Sequence, residues 1–142
     1  MLKRILLTLV FLALLTACAS KASQPETGLT VEMSDFAYSP SSITLPAGQP
    51  VILTLNNKGN IEHDFVVEAI DAMTEVIQDN GSNAHHAHGA EQNYALHVSA
   101  RPGETSIVKL TIAEPGTYKI ICSVQGHKEA GMIGELIVLD QE

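Results

Sequence analysis

Short apolar runs that alternate with turns constrain the fold of this chain more than any other feature. Seven such runs, rich in Val, Ile, Leu and Thr, cover residues 29–33, 43–45, 51–55, 65–69, 106–112, 118–121 and 133–139. Pro and Gly separate several of them, as at residues 46–48 and 114–116. Short strands bounded by such turns are typical of two packed sheets. The sequence therefore predicts an all-β sandwich or barrel.

One loop, residues 122–132, carries three soft metal donors in the run CysSerValGlnGlyHisLysGluAlaGlyMet. Cys122 offers a thiolate, His127 an imidazole and Met132 a thioether. Copper accepts these donors in both oxidation states with little change in geometry, which favours electron transfer. A second imidazole is available upstream at His63. Taken singly, such residues are usually core or surface residues, but together they predict a copper site.

Residues 29–139 resemble the cupredoxins, the small blue-copper proteins of the plastocyanin, azurin and auracyanin type. The resemblance rests on PheAlaTyrSerProSerSerIleThrLeuProAlaGlyGlnPro at residues 36–50 and on the Asn-rich turn before His63. It rests further on the ProGlyThrTyr approach to Cys122 and on the Cys-x4-His-x4-Met loop. This resemblance implies a Greek-key β-sandwich with one type 1 copper ion.

The resemblance also implies the roles of the donors, which should converge at one end of the sandwich. The three equatorial ligands would be His63, Cys122 and His127, and the thioether of Met132 would be the axial ligand. Electrons are expected to enter through the histidine of the loop, whose ring edge reaches the surface in the family. Val124, Ala130, Gly131 and Ile133 would surround that ring with a small apolar patch.

Asp64 departs from the pattern of plastocyanin and azurin, which have Asn directly after the first histidine ligand. In the family this position ties the two ligand-bearing segments together. We expect Asp64 to accept hydrogen bonds from the Ser123 hydroxyl or from backbone N–H groups. Its negative charge should favour Cu(II) and lower the reduction potential, which an Asp64→Asn variant would test.

The first residues of the chain are typical of a bacterial lipoprotein. Lys3 and Arg4 precede an apolar stretch and LeuThrAlaCys, which resembles a lipobox. The apolar stretch is shorter than the about 20 residues that span a bilayer. We therefore expect three parts, namely a signal peptide at 1–17, a lipidated tether at 18–28 that begins at Cys18, and a cupredoxin domain at 29–142.

This interpretation implies an extracytoplasmic protein, lipid-anchored to the membrane on the periplasmic side or at the cell surface. Lipidation of Cys18 leaves Cys122 as an unpaired thiol in an oxidising compartment. Such a thiol is oxidised unless it is buried or bound to metal. The cysteine count thus favours a ligand role for Cys122.

The charge balance is acidic, with 8 Lys and Arg against 16 Asp and Glu. Loss of Lys3 and Arg4 with the signal peptide leaves 6 basic residues, a formal balance of 6 − 16 = −10. Such a chain disfavours nucleic acid and favours a basic redox partner, such as a c-type cytochrome or a terminal oxidase. Solubility near an anionic membrane explains the charge equally well. No motif indicates a small-molecule substrate.

The segment of about residues 70–101 is the least family-like part. Asp71 can act as N-cap for one or two helical turns up to residue 78, which makes this a long, partly helical insertion. A run of closely spaced imidazoles follows at His85, His86 and His88. This run can bind a second, weaker metal ion, although a polar surface loop is the favoured interpretation. His97 is interpreted as a solvent-facing strand residue.

These features predict a lipid-anchored, single-electron carrier that cycles between Cu(I) and Cu(II) without catalysing a reaction. The alternative is a copper-storage or copper-resistance protein whose histidine run collects the ion. An enzyme is the weaker interpretation because a copper catalyst needs an open coordination position, and Met132 is expected to close the site. Glu62 would have to take the axial position to open it.

Overall fold

The protein forms two five-stranded sheets, as a computed structural model describes it for residues 27–82 and 94–141. In chain order the strands are β1 (Thr27–Ser34), β2 (Ala37–Ser39), β3 (Ser42–Pro46), β4 (Val51–Asn57), β5 (His63–Val67), β6 (Ala72–Gln78), β7 (Leu96–Ala100), β8 (Thr105–Ile112), β9 (Gly116–Ile121) and β10 (Ile133–Leu139). The first sheet has the order β2-β1-β4-β8-β6 and the second β3-β10-β9-β5-β7. No helix that could cross a membrane occurs within the described ranges.

The core lies between the sheets, and strands such as β4 and β8 contribute alternate residues to it. Val51 and Leu53 of β4 are buried and pair with Leu110 and Val108 of β8. Successive side chains of a strand point to opposite faces, so this register turns one apolar row of β4 and one of β8 inward. Burial of each such side chain contributes about 1.5–3 kcal/mol. All seven apolar runs contribute to strands, which confirms the predicted all-β sandwich.

The prediction of helical turns from Asp71 to residue 78 is wrong. Residues Ala72–Gln78 instead form β6, an edge strand that pairs antiparallel with β8. Thr74, Val76 and Ile77 are β-branched, and such side chains are restricted in a helix but fit a pleated sheet. Six of the seven residues of β6 are exposed, so the segment lacks the apolar stripe with which a helix would pack on the core.

The last part of the segment at 70–101 also contributes a strand to the sandwich. β7 lies at the edge of the second sheet, beside β5, so the segment supplies one edge strand to each sheet. At the other end of the domain, β1 begins at Thr27, two residues before the expected domain boundary at residue 29. Thr27 pairs with Val51 of β4.

The topology brings three strand ends to one end of the sandwich. β5 and β9 are antiparallel neighbours, with Val66 opposite Ile121, and β9 pairs antiparallel with β10. The start of β5, the end of β9 and the start of β10 therefore meet. The predicted ligands lie at or next to these three positions.

Candidate metal centre

Three of the predicted ligands lie together at this end of the sandwich. His63 is the first residue of β5, and Cys122 and His127 follow the end of β9. His63 Nδ1 lies 3.2 Å from His127 Nδ1, which lies 3.3 Å from Cys122 Sγ. One ligand atom from each residue falls within 4.8 Å of the others, and all three residues are buried. This spacing allows one ion to contact all three atoms.

Met132, the fourth predicted ligand, is fully buried and precedes β10. Its backbone N–H donates to the His127 carbonyl over 2.9 Å, and its carbonyl accepts from the Cys122 N–H over 3.3 Å. These bonds close the loop of residues 122–132, which we call the ligand loop. The backbone of Met132 is thus held at the end of the loop by bonds to Cys122 and His127.

The ligand loop turns tightly through two glycines. Gly126 has a φ of 85° and Gly131 a φ of 101°. Both values lie in the left-handed region, which residues other than Gly and Asn adopt only at a cost in free energy. Between them, the Ala130 N–H donates to the Gly126 carbonyl over 3.0 Å. The backbone conformation of these glycines keeps His127 and Met132 at the same site although four residues separate them.

Asp64 joins the two ligand-bearing segments. Its backbone N–H donates to Cys122 Sγ over 3.3 Å, and its carboxylate Oδ2 accepts a short hydrogen bond from the Ser123 hydroxyl. Its backbone carbonyl accepts from the Tyr38 hydroxyl over 2.6 Å. Asp64 is itself fully buried. An N–H donated to a sulfur stabilises negative charge on that sulfur, so Asp64 supports the thiolate through its backbone.

His97 lies on strand β7, as expected, but does not simply face solvent. Its side chain is only 18% exposed, and its Nε2 lies 3.4 Å from Asp64 Oδ2. Tyr94 packs edge-on against its ring. Glu62, the residue weighed for an axial position, accepts from the Ser82 N–H over 2.7 Å. The remaining predicted site residues lie outside the described residues; they are Cys18, His85, His86 and His88.

Burial sets the protonation of the metal-free site. It raises the pKa of the Cys122 thiol to about 11. Burial, together with the nearby His63, lowers the pKa of His127. At neutral pH the metal-free site therefore carries a thiol and a neutral imidazole. Metal binding requires a thiolate, so an entering cation displaces the thiol proton.

Two residues at the site, one aromatic and one acidic, were not recognised as site residues from the sequence. Phe36 packs edge-on against the His127 ring at a centroid distance of 5.2 Å, is 44% exposed, and has a φ of 67°. Asp35 Oδ1 lies 3.4 Å from His63 Nε2. Neither residue follows a ligand motif. Only the turn-like SerAspPhe sequence could have drawn attention to them.

The donor set itself indicates which metal fits. A thiolate and two imidazoles, with the thioether of Met132 at the end of the ligand loop, are soft or borderline donors, which favour copper over magnesium or calcium. A three-donor arrangement of two His and one Cys with a weak axial Met is typical of blue-copper electron-transfer sites. The side chains therefore fit copper. His63, Cys122 and His127 would hold it, and Met132 is available as the axial donor.

Known proteins show the same combination of sequence and fold. The Cupredoxin-like domain family matches residues 5–98, which include His63 and end before Cys122. The copper-resistant cuproprotein CopI of Rubrivivax gelatinosus is 28% identical over 118 residues, which cover 82% of this chain and 69% of CopI. Auracyanin-B of Chloroflexus aurantiacus is 31% identical over 111 residues, which cover 72% of this chain and 47% of auracyanin-B.

The fold is similar to that of solved structures even where the sequence identity is low. The structure of auracyanin B matches with a TM-score of 0.59 at 24% identity, and the match covers 82% of this chain and 91% of that one. This chain spans less than half the length of the curated auracyanin-B sequence. With a family match that extends over more than half of its residues, the chain belongs to the cupredoxin-like domain family.

Proposed function

We propose that this protein is a type 1 copper protein that carries single electrons between redox partners. One observation carries the proposal: Nδ1 of His63, Nδ1 of His127 and Sγ of Cys122 converge in a buried site at the ends of paired strands. Donors fixed by a rigid scaffold move little when the metal changes oxidation state, so electron transfer is fast. Cu(I) and Cu(II) both accept this donor set. No catalysed reaction is needed.

The surface over His127 supports electron exchange at this end of the molecule. His127 is only 5% exposed, so its ring is more covered than the resemblance implies. Phe36 covers it, and Ile61 and Ile133 are also exposed large apolar residues near the ligand-bearing segments. Lys128 lies 3.7 Å from Glu68 and adds charge at the edge. A small apolar face with a charged edge suits transient docking.

The partner and location follow from the charge and the first residues of the chain. The acidic balance favours a basic partner, for which a c-type cytochrome or a terminal oxidase is the proposed class. Lipidation at Cys18 would hold the domain outside the cytoplasm near the membrane, on a tether of residues 18–28. A Cys18→Ser variant should then move from the membrane fraction to the soluble fraction. An unchanged distribution would contradict lipid anchoring.

Copper loading of the full chain in detergent tests the main proposal. We expect one copper per chain, an intense thiolate-to-copper absorption band, narrow copper hyperfine splitting and reversible voltammetry. The Cys122→Ser variant should lose the band and the narrow splitting, because it lacks the thiolate. A pale spectrum that is the same in both proteins would contradict a type 1 site.

A second candidate, copper storage or resistance, is favoured by the 28% identity to a copper-resistant cuproprotein. In this candidate His85, His86 and His88 collect the ion. Replacing all three with Ala separates the two functions. A carrier keeps its copper stoichiometry, its potential and the copper tolerance of the cell. Loss of additional bound copper together with copper tolerance would favour storage or resistance.

A further inference from the structure

We propose that Asp35 is a positioning residue that fixes the tautomer and orientation of His63 and thereby favours Cu(II) over Cu(I). The inference rests on the proposed function, because it assigns a role to the side chain behind one copper ligand. Nothing in the spacing of the ligands requires an acidic residue at this position. The assignment comes from the contacts around the outer edge of the His63 ring.

The two nitrogens of His63 face different surroundings. Nδ1 points to the other donors, 3.2 Å from His127 Nδ1, while Nε2 lies 3.4 Å from Asp35 Oδ1. His63 is fully buried and the Asp35 side chain is 40% exposed. A ligand nitrogen must present its lone pair to the metal, so the ring proton has to reside on Nε2. The carboxylate of Asp35 is the acceptor that this tautomer needs.

The carboxylate is held in place from its other side. Asn60 donates its backbone N–H to Asp35 Oδ1 over 3.0 Å and its side-chain amide to Oδ2 over 2.8 Å. Both oxygens of Asp35 are therefore engaged. The hydrogen bonds from Asn60 therefore fix the orientation of the carboxylate toward His63.

Gly59 shows how closely the backbone packs over this pair. A Cβ at Gly59 would lie 2.5 Å from Asp35 Oδ1 and 2.6 Å from His63 Nε2, so no side chain fits there. Asn57, which is buried, fixes the turn by accepting from the Gly59 N–H and donating to the Ile61 carbonyl, each over 2.8 Å. The turn thus shields the contact between Asp35 and His63.

The chemistry of the pair predicts its effect on copper. A carboxylate that accepts the outer N–H of a ligand histidine fixes the ring and makes the metal-binding nitrogen more basic. At 3.4 Å the contact is longer than a usual N–H···O bond of about 2.7–3.2 Å. A bound cation makes the N–H a stronger donor and should shorten it. Added basicity and negative charge stabilise the doubly charged ion more than the singly charged one.

The two histidines are therefore supported differently. The outer side of His63 meets a carboxylate, whereas His127 meets the edge of the Phe36 ring. The His63 side of the site stabilises Cu(II), and the His127 side provides the apolar contact. Asp35 and Phe36 are neighbours in the turn after β1, so one turn carries both.

Two variants of Asp35 separate charge from orientation in the full chain. Asp35→Asn keeps an acceptor oxygen but removes the charge, and Asp35→Ala removes both. Asp140→Asn, after the far end of β10, is the matched control for loss of one exposed acidic charge. Two readouts are needed. Nitrogen-15 NMR of the metal-free protein gives the tautomer of His63, and voltammetry of the copper-loaded protein gives the reduction potential.

We expect the metal-free wild type to hold His63 as the Nε2–H tautomer, Asp35→Asn to retain it, and Asp35→Ala to lose it. The ratio of Cu(II) to Cu(I) affinity should fall about tenfold in Asp35→Ala, which is a rise of about 59 mV in potential. Asp35→Asn should shift the potential in the same direction by less, and Asp140→Asn should leave it unchanged.

The outcomes distinguish this inference from the proposed function. A wild-type tautomer in folded Asp35→Ala would overturn the positioning role, whether or not copper binds. An altered tautomer with an unchanged potential would overturn the preference for Cu(II). A wild type without the thiolate band would instead contradict the proposed function. If Asp35→Ala fails to fold, an Asp35→Asn potential equal to that of Asp140→Asn overturns the inference.

Discussion

The two segments that bring donors to the metal centre are held in different ways. In the ligand loop, residues 122–132, backbone hydrogen bonds within the loop itself maintain the turn, such as that from the Met132 N–H to the His127 carbonyl. The His63 segment, residues 57–64, has local bonds from Asn57 to Gly59 and Ile61, but its ligand also depends on partners far away in the chain. Asp35 lies 28 residues before His63, and Tyr38 lies 26 residues before Asp64.

The residues that act as ligands and the residues that hold those ligands in place are therefore set by different parts of the chain. A loop that closes on itself requires particular residues at short spacings, so its donors can be recognised in the sequence. A ligand supported by distant side chains depends on the tertiary fold. Substitutions should therefore act through backbone conformation in the ligand loop and through side-chain contacts in the His63 segment.

Gly59→Ala should have the largest effect, because the added methyl group collides with both Asp35 and His63. We expect the free energy of unfolding of the metal-free protein to fall by about 1–3 kcal/mol, the usual cost of overpacking. The copper spectrum should also change, because the His63 ring is displaced. Urea unfolding and visible spectroscopy measure the two effects.

Gly28→Ala is the control, since a Cβ at Gly28 meets no atom within 4 Å and its φ is not in the left-handed region. It should leave both stability and spectrum close to those of the wild type. Equal stability of the Gly59 and Gly28 variants would show that the turn yields to a side chain. The distinction between the two ligand-bearing segments would then fail at this position.

Gly131→Ala tests the ligand loop, where conformation rather than space is limiting. A Cβ at Gly131 meets no atom within 4 Å, but its φ of 101° is unfavourable for Ala. We expect a loss of about 1–2 kcal/mol in the free energy of unfolding. Gly48→Ala is the matched control, with a φ of 69° in a turn that bears no ligand.

Both variants should lose stability in urea unfolding, but only Gly131→Ala should alter the copper spectrum. A spectrum changed equally by Gly48→Ala would mean that the site responds to general loss of stability. A Gly131→Ala variant as stable as the wild type would contradict a conformational constraint in the ligand loop.

Tyr38→Phe removes one distant support of the His63 segment. The Tyr38 hydroxyl donates to the buried Asp64 carbonyl over 2.6 Å, and its ring packs edge-on against Phe65. Phe keeps the ring contact and leaves the carbonyl without this donor, so we expect a loss of about 1 kcal/mol. Tyr118→Phe is the control, because its hydroxyl bonds the Glu114 carbonyl at the exposed surface. Equal unfolding free energies for the two variants would contradict the proposed support.

The fold could be predicted from the sequence where strands carry an apolar pattern of their own. β4 and β8 alternate between buried and partly buried residues, and both were recognised. β6 was mistaken for helical turns because it is an edge strand with exposed side chains on both faces. Its structure is decided by pairing with β8, which no local pattern reveals.

The site shows the same limit. The spacing of Cys122, His127 and Met132 was sufficient to identify the ligand loop, and resemblance supplied His63. Asp35 and Phe36 were missed because their roles arise only when the turn after β1 folds against the site. Local sequence therefore predicts donors well, whereas the side chains that support the donors depend on the tertiary structure.

The effect that is smallest at neutral pH concerns Cys122 in the metal-free protein. Burial raises the pKa of this thiol from 9.0 to about 11. The folded state therefore binds the proton more tightly than the unfolded state. This contribution to stability is complete below about pH 9 and is lost as the pH rises to about 11. Urea unfolding across this range, compared with Cys122→Ser, isolates the contribution because the other titrating groups are common to both proteins. As the pH rises, the free energy of unfolding of the wild type should fall relative to that of Cys122→Ser. A constant difference between the two proteins would mean that burial does not raise the pKa of this thiol.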